Sequence, residues 1–167
     1  MLKEGIKGTQ EVVVSEKNTA KTMGSGALDV FATPAMIALM EKTAWESVQP
    51  YLEEGSGTVG TLMNVKHVAA SPVGMKITCE TELVKVDGRA LTFTVIAFDE
   101  AGLIGEGEHE RFVVFNDKFQ AKADAKLQIK GRHDPCIVPR AAVVQNTLAA
   151  FAVLDLLTVR YGTLGQK

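Results

Sequence analysis

One long helix, followed by about sixty residues without a helical pattern, most constrains what this chain can fold into. The helix is predicted over about residues 33–49, with Thr33 as the N-cap and Pro34 as the first helical residue of T-P-A-M-I-A-L-M-E-K-T-A-W-E-S-V. Pro50 ends the pattern. Because such a helix must bury its apolar face against another layer, the segments after it are expected to form that layer.

The segments around the helix carry strand patterns. Met75, Ile77 and Cys79 alternate with polar residues, and Asp87-Gly88 is typical of a type I′ hairpin turn. Strands are therefore predicted at residues 9–15, 58–68, 75–83, 91–98 and 103–115. The order is one strand, the helix and then four strands in a meander, which predicts an α+β fold with the helix along the concave face of a curved antiparallel sheet.

Two glycines on the last strand bear on how the helix and the sheet meet. Gly105 and Gly107 are two residues apart, so they lie on one face of the strand. They either let the helix approach the sheet closely or mark a bulge in an edge strand.

Composition limits the classes of protein that fit. The 167 residues are 46% hydrophobic, which suits one compact domain, and the net charge of −2 without a basic aromatic surface disfavours nucleic-acid binding. Cys79 and Cys136 stand apart, outside any C-x-x-C pair, so neither a disulfide framework nor a zinc site is predicted. The N-terminus lacks a signal-peptide pattern, and polar residues interrupt the apolar run at 141–157. We expect a cytoplasmic protein without a membrane span.

The chain is expected to divide into residues 1–120, which hold the helix and the strands, and residues 121–167. Residues 119–132 are polar and rich in lysine, which predicts a solvated connector. A further helix is predicted from about Arg140, and its function cannot be inferred from the pattern.

Glu41 lies in the apolar stripe of the predicted helix. At about 100° per residue it falls on the same face as Ile37, Met40, Ala44 and Val48. A carboxylate in an apolar layer costs several kcal/mol unless it is paired, hydrogen-bonded or neutralised. Glu41 therefore needs a partner, or it is a buried structural hydrogen-bonder.

The three histidines are the candidate partners for Glu41. His67 closes a predicted strand, His109 looks like a strand residue on a charged face, and His133 lies in the polar connector. Lone histidines more often serve as structural hydrogen-bonders. Of the three, only His67 is well placed for a functional role.

Four stretches of the chain resemble the hotdog-fold thioesterases, in particular the fluoroacetyl-CoA thioesterase-like branch. They are D-V-F-A-T-P-A-M-I-A-L-M-E, G-T-V-G-T-L-M-N-V-K-H-V-A-A-S-P-V-G, V-D-G-R-A-L-T-F-T-V-I-A-F-D-E and G-E-G-E-H-E-R-F-V-V-F, within about residues 9–120. The resemblance implies a hotdog fold, and a homodimer that cuts acyl-CoA thioesters at two sites in the subunit interface. A higher hotdog oligomer is also compatible with it.

The resemblance also implies which residues form the site. Thr33, Glu41 and His67 act together, while Gly60 lines the thioester site and is assigned with Phe31 to substrate binding. Thioester hydrolysis needs an activated nucleophile and a place for developing negative charge. Glu41 can activate water or attack the carbonyl, His67 can move the proton, and Thr33 can orient water or attack. No cofactor is needed beyond the coenzyme A of the substrate.

Two of these assignments have structural alternatives, and the acyl group is only loosely defined. Thr33 can simply cap the helix, and Gly60 can be a strand kink. In the fluoroacetyl-specific branch aromatic lid residues precede the helix, whereas Gly24 and Ala27 stand at the corresponding places here. A short or medium acyl group is therefore expected rather than a fluorinated two-carbon one.

Two other functions remain compatible with the sequence. One is a noncatalytic acyl-CoA binding module, against which the presence of Thr33, Glu41 and His67 together argues. The other is a hotdog enoyl-CoA hydratase or dehydratase, which also uses a histidine and a carboxylate.

Overall fold

The computed structural model describes residues 2–127. Within that range one long helix follows the first strand, and the remaining strands then come in succession. They are β1 (Lys7–Val13), α1 (Thr33–Val48), β2 (Ser56–His67), β3 (Lys76–Asp87), β4 (Ala90–Asp99), β5 (Gly102–Phe115) and α2 (Asn116–Leu127), with short 3-10 turns at Glu16–Asn18 and Gln49–Tyr51. No helix within the described residues is long and apolar enough to span a membrane.

The helix α1 begins one residue earlier than predicted. Ala32 is the extended N-cap residue, so Thr33 and Pro34 occupy the first two helical positions. Proline fits either position because the first N–H groups of a helix have no intrahelical partner. No side chain caps the helix, so the capping role predicted for Thr33 was wrong. Its hydroxyl is left free for other contacts.

The buried face of α1 is rotated slightly from the predicted stripe. Ile37 and Glu41 are only partly buried, at the border of the apolar face. The prediction was wrong for these two and correct for the other three members of the stripe. The residues that α1 buries in the core are Met36, Leu39, Met40, Thr43, Ala44 and Val48.

The sheet is antiparallel throughout, but its strand order differs from a four-stranded meander. The order is β1-β3-β4-β5-β2, so only β3, β4 and β5 form a meander. β2 pairs with β5 from Ser56↔Phe115 to His67↔Gly105, while β1 pairs along the other side of β3. Because β1 occupies the free side of β3, β2 lies at the far edge, and the meander prediction was wrong for β2.

The turn between β3 and β4 confirms the predicted hairpin but not its type. Asp87 pairs with Ala90, so Gly88 and Arg89 are the loop residues. Only Gly88 has a positive φ, at 59°. A type I′ turn needs positive φ at both central residues, whereas a type II′ turn needs glycine at the first, which is the arrangement here.

Gly105 allows the helix to approach the sheet closely, as predicted. A Cβ atom at this position would lie 2.5 Å from the Met36 sulfur on α1. At Gly107 a Cβ atom would instead meet Asn64 and Val65 on β2. Since β5 lies between β4 and β2, it is not an edge strand, but its pairing with β4 shifts beside Gly105, opposite Ala97 and Phe98. The alternative was therefore wrong about the edge and correct about an irregularity in the pairing.

The helix α2 lies where a solvated connector was predicted. It covers Asn116–Leu127, and its described side chains are exposed, so it has no apolar stripe by which periodicity would reveal it. The rest of the connector, the helix predicted from Arg140 and Cys136 lie outside the described residues. The division of the chain at residue 120 stays a prediction.

Candidate active site

Thr33 and His67 form a hydrogen-bonded pair where the start of α1 meets the end of β2. The Thr33 hydroxyl lies 2.8 Å from Nδ1 of His67. Because Ala32 is the N-cap residue, the threonine side chain is not used for capping. A hydroxyl within about 2.6–3.2 Å of an imidazole nitrogen is the arrangement of a nucleophile and its base. The structure thus brings together two of the three predicted catalytic residues.

An open cavity of about 310 Å³ lies beside this pair. Phe31 is buried in its wall, where its backbone N–H donates to the Ser71 carbonyl at 2.8 Å. Gly24 and Ala27, at the places of the aromatic lid, are both exposed. Neither of these two residues is among those that line the cavity. The full lining is Ala20, Ser25, Val30, Phe31, Thr33, His67, Val68, Ala69 and Ala70.

Burial favours the neutral form of His67, and one of its ring nitrogens has no partner among the described residues. Burial lowers the pKa of its imidazole, and the nearby Ala69 backbone only partly opposes this effect. Nε2 is buried without a hydrogen-bond partner among the described residues. A buried polar atom without a partner costs free energy, and such atoms often mark functional positions. The free nitrogen suggests a partner supplied from outside this part of the chain.

Glu41 lies against Gly60 rather than against His67. A methyl group built on Gly60 would lie 2.5 Å from Oε1 of Glu41 and 3.2 Å from Cε1 of His109. Gly60 begins a bulge in β2, where the pairing with β5 shifts between Gly60 and Leu62. The missing side chain at residue 60 is therefore what leaves room for the carboxylate.

His109 and Arg111 lie buried behind this carboxylate on β5. His109 is 0% exposed and Arg111 5%. Nδ1 of His109 lies 2.7 Å from the Leu62 carbonyl, and its Nε2 lies 3.0 Å from Nη1 of Arg111. The other two guanidinium nitrogens donate to Thr58, Nε to its hydroxyl and Nη2 to its carbonyl, both at 2.8 Å. We call Glu41, Gly60, His109 and Arg111 the Glu41 cluster.

The groups of the Glu41 cluster influence the pKa values of His109 and Arg111. Burial lowers the pKa of His109, and the positive charge of Arg111 lowers it further, while the Leu62 carbonyl and Glu41 raise it. Burial also lowers the pKa of Arg111, which Glu41 opposes. A guanidinium stays protonated in proteins, so a neutral imidazole and a buried cation face the carboxylate. Glu41 is thus next to positive charge and next to an exposed strand edge.

Glu41 and His67 are not in contact within one chain. The helical rise of about 1.5 Å per residue separates Glu41 from Thr33, the partner of His67, by about 12 Å along the axis. No hydrogen bond between Glu41 and His67 is present in the described residues, and Glu41 makes no contribution to the pKa of His67. The prediction that His67 is the partner of Glu41 was therefore wrong for a single protomer.

The sequence interpretation missed His109 and Arg111. His109 was assigned to a charged outer face, yet it is buried. The signal was present in the alternation of β5, because the face that carries Gly105 and Gly107 toward the interior also carries His109 and Arg111. The intervening glutamates occupy the other face. His133 lies outside the described residues.

Within the described part of the chain, no group of three or more His, Cys, Asp or Glu residues is placed to hold a metal ion. The G-S-G run at residues 55–57 forms the start of β2, with Gly55 at a φ of 76° in the preceding turn.

The chain is similar to known thioesterases over most of its described part. The model of the family "FlK: Fluoroacetyl-CoA-specific thioesterase" matches residues 14–117. The fluoroacetyl-CoA thioesterase of Streptantibioticus cattleyicolor is 45% identical over 98 residues, which cover 59% of this chain and 70% of that protein. Segments of 31 to 45 residues are also similar to chorismate synthases, but they cover only 8–12% of those enzymes, too little to carry an activity over.

Solved structures with the same fold include a structure of the fluoroacetyl-CoA thioesterase FlK. It matches with a TM-score of 0.71 and 37% identity, covering 75% of this chain and 98% of that one. A hot-dog-like protein from Thermanaerovibrio acidaminovorans matches with a TM-score of 0.69 and 24% identity, covering 77% and 94% of the two chains. The predicted hotdog fold is confirmed by these neighbours.

Proposed function

The chain belongs to the family of fluoroacetyl-CoA-specific thioesterases, which are thioester hydrolases, and we propose that it hydrolyses a short or medium acyl-CoA to the free acid and coenzyme A. The observation that carries this proposal is the hydrogen bond between Thr33 and His67 at the wall of an open cavity. Thr33, His67 and Glu41 are the proposed catalytic residues, and Gly60 and Phe31 are the proposed substrate-binding residues.

The Thr33–His67 pair can begin the reaction by either of two routes. If Nδ1 of His67 accepts the Thr33 proton, the hydroxyl can attack the thioester carbonyl, and His67 can then protonate the leaving thiolate of coenzyme A. Water activated by His67 then hydrolyses the acyl-threonine ester, which releases the free acid and restores the hydroxyl. If Nδ1 instead donates to the hydroxyl, the buried Nε2 is a base for a water molecule. In both routes His67 must be neutral at the start, which its burial favours.

Glu41 is proposed to activate water or to attack the carbonyl itself. Gly60 permits the carboxylate to lie against the strand, and Arg111 supplies a nearby positive charge. Glu41 is partly exposed as a residue, as either role would require.

A homodimer is proposed to join the two halves of this site. Within the described residues β2 pairs only with β5, so its other edge has free N–H and C=O groups. Such an edge can pair with the same edge of a second copy across a two-fold axis. We expect that pairing to bring Glu41 of one protomer toward His67 of the partner. Sedimentation is expected to show a species of twice the chain mass or more.

The proposed chemistry needs neither a metal nor a redox cofactor. Thr33, His67 and Glu41 together supply a nucleophile, a base and a charged group. Dialysis against a chelator is expected to leave the rate of hydrolysis unchanged. A loss that zinc or magnesium restores would contradict this part of the proposal.

A cytoplasmic location is proposed because the described residues contain a free cysteine. Cys79 is buried as a thiol, and burial raises its pKa to about 11, so it is unreactive. Free thiols are typical of reducing compartments. Cell fractionation of the tagged chain checks this location.

The function is tested by the release of free thiol from a panel of acyl-CoAs that includes acetyl-, fluoroacetyl-, butyryl- and octanoyl-CoA. The proposal predicts many turnovers per protein with a short or medium acyl group. Binding without thiol release would favour an acyl-CoA binding module. Hydration of an enoyl-CoA without thiol release would favour a hydratase. Either result contradicts hydrolysis as the function.

A further inference from the structure

We propose that His109 is a positioning residue, which holds the guanidinium of Arg111 beside Glu41 without touching the substrate. The inference rests on the proposed function for its effect on catalysis, but its structural content is independent of it. His109 is fully buried in the middle of β5, and both of its ring nitrogens are hydrogen-bonded.

The hydrogen-bond partners fix the protonation state of His109. The Leu62 carbonyl can only accept, so Nδ1 must carry the proton. Nη1 of Arg111 can only donate, so Nε2 must offer a lone pair. His109 is therefore the neutral tautomer with the proton on Nδ1. A proton added to Nε2 would place two donors and two positive charges face to face.

The guanidinium of Arg111 is held on two sides. Thr58 accepts from Nε and Nη2, while His109 accepts from Nη1. Without the imidazole acceptor, Nη1 would be buried and unpaired, which costs free energy, and more so for a charged group. The guanidinium is then expected to turn away to recover a partner. Its charge would no longer stay fixed beside Glu41.

His109 also holds the bulge that carries Gly60. Its Nδ1 donates to the carbonyl of Leu62, which follows the bulge directly. Its Cε1 lies 3.2 Å from the position that a methyl group on Gly60 would take. The ring of Phe93, with centroids 6.3 Å apart, packs beside the imidazole. One side chain thus connects the cation and the strand bulge that together border Glu41.

Two substitutions separate the two hydrogen bonds of His109. In His109→Gln the amide oxygen can reach the place of Nε2 and accept from Arg111, but the bond to Leu62 is lost. In His109→Asn the amide nitrogen can replace Nδ1 as donor to Leu62, but Arg111 loses its acceptor. Circular dichroism and thermal melting of both variants establish that each is folded.

The proposal predicts that the acceptor bond to Arg111 decides activity. His109→Gln is expected to keep kcat within about threefold of the wild type, whereas His109→Asn is expected to lower kcat about tenfold or more with little change in KM. If Arg111 is first changed to Lys, the same asparagine substitution is expected to cause little further loss.

A measurement on the protein without substrate makes the inference independent of turnover. In 15N NMR spectra the wild type and His109→Gln are expected to show a rotationally restricted Arg111 side chain, and His109→Asn a freely rotating one. Equal restriction in all three proteins, or equal activity of the two variants when both are folded, would overturn the proposal. Absence of thiol release by the wild type would instead contradict the proposed function, while the NMR comparison would still decide the role of His109.

Discussion

The two halves of the proposed site are built in opposite ways. The Thr33–His67 pair has one hydrogen bond, an unpartnered Nε2 and an open cavity beside it. The Glu41 cluster is closed behind the carboxylate, where four hydrogen bonds hold His109 and Arg111. The first half leaves a ring nitrogen for a ligand, and the second fixes a charge with its hydrogen bonds. The contrast fits a reactive pair that moves protons and a charged group that must stay in place.

The largest expected effect is the loss of the Glu41 charge. We expect Glu41→Gln, which keeps the shape of the side chain, to lower kcat about a thousandfold, as for loss of an acid–base group. Glu46→Gln is the matched control, because Glu46 lies on the same helix but bonds to Gln10. Thiol release measures both variants. Similar rates in the two would remove Glu41 from the chemistry.

The next-largest effect on kcat is expected from removing the Thr33 hydroxyl while keeping its methyl group. Thr33→Val removes only the group that bonds to His67 and is expected to lower kcat about a hundredfold. Thr33→Ser keeps the hydroxyl and is expected to retain most activity. Steady-state kinetics of these two variants decide whether the hydroxyl is needed for hydrolysis. An active valine variant would leave Thr33 with a structural role at the start of the helix.

A smaller effect is expected from filling the space at Gly60. In Gly60→Ala the added methyl group would lie 2.5 Å from the Glu41 carboxylate, so the side chain must move, and kcat is expected to fall about tenfold. Gly57→Ala is the control on the same strand, since the nearest atoms that its methyl group would meet belong to the Asn116 side chain. Equal kinetics of the two alanine variants would argue that the position of Glu41 is not critical.

The smallest effect concerns stability against acid. Burial lowers the pKa of both His67 and His109 below the usual 6.5. Below that value the unfolded chain takes up protons that the folded chain excludes, so these residues stabilise the fold above pH 6.5 and lose that contribution as the pH falls toward their folded values. We expect a lower Tm at pH 5 than at pH 7, and a weaker dependence in His109→Gln. An unchanged slope in that variant would mean that His109 does not cause it.

The fold and the candidate site differ in how far the sequence predicts them. The long helix, the β3–β4 hairpin and the approach of the helix at Gly105 follow from local patterns, and the structure confirms them. The place of β2 beside β5 does not, because strand order depends on contacts between distant segments. The helical stripe singles out Glu41, and the end of a predicted strand singles out His67, whereas the catalytic role of Thr33 comes from the resemblance to a family. The roles of all three residues stay predictions.

The neighbours of His109 and Arg111 in the sequence hide the fact that both residues are buried. Each is flanked by glutamates or by large side chains, so the segment looks like a charged surface. Only the alternation from Gly105 and Gly107 reveals that both residues face the helix. The bulge at Gly60, which makes room for Glu41, has no comparable local signal because it depends on the register of two strands. Long-range geometry therefore limits what could be predicted.

The most direct test of the account asks whether the two halves meet only between protomers. Glu41→Gln and His67→Ala are each expected to be inactive alone, and the two proteins are to be unfolded together, refolded and assayed for thiol release. If each site uses Glu41 of one protomer and His67 of the other, mixed dimers contain one intact site, and about a quarter of wild-type activity returns. If the mixture of properly folded dimers stays inactive, the two residues belong to the same protomer's site, and the account is contradicted.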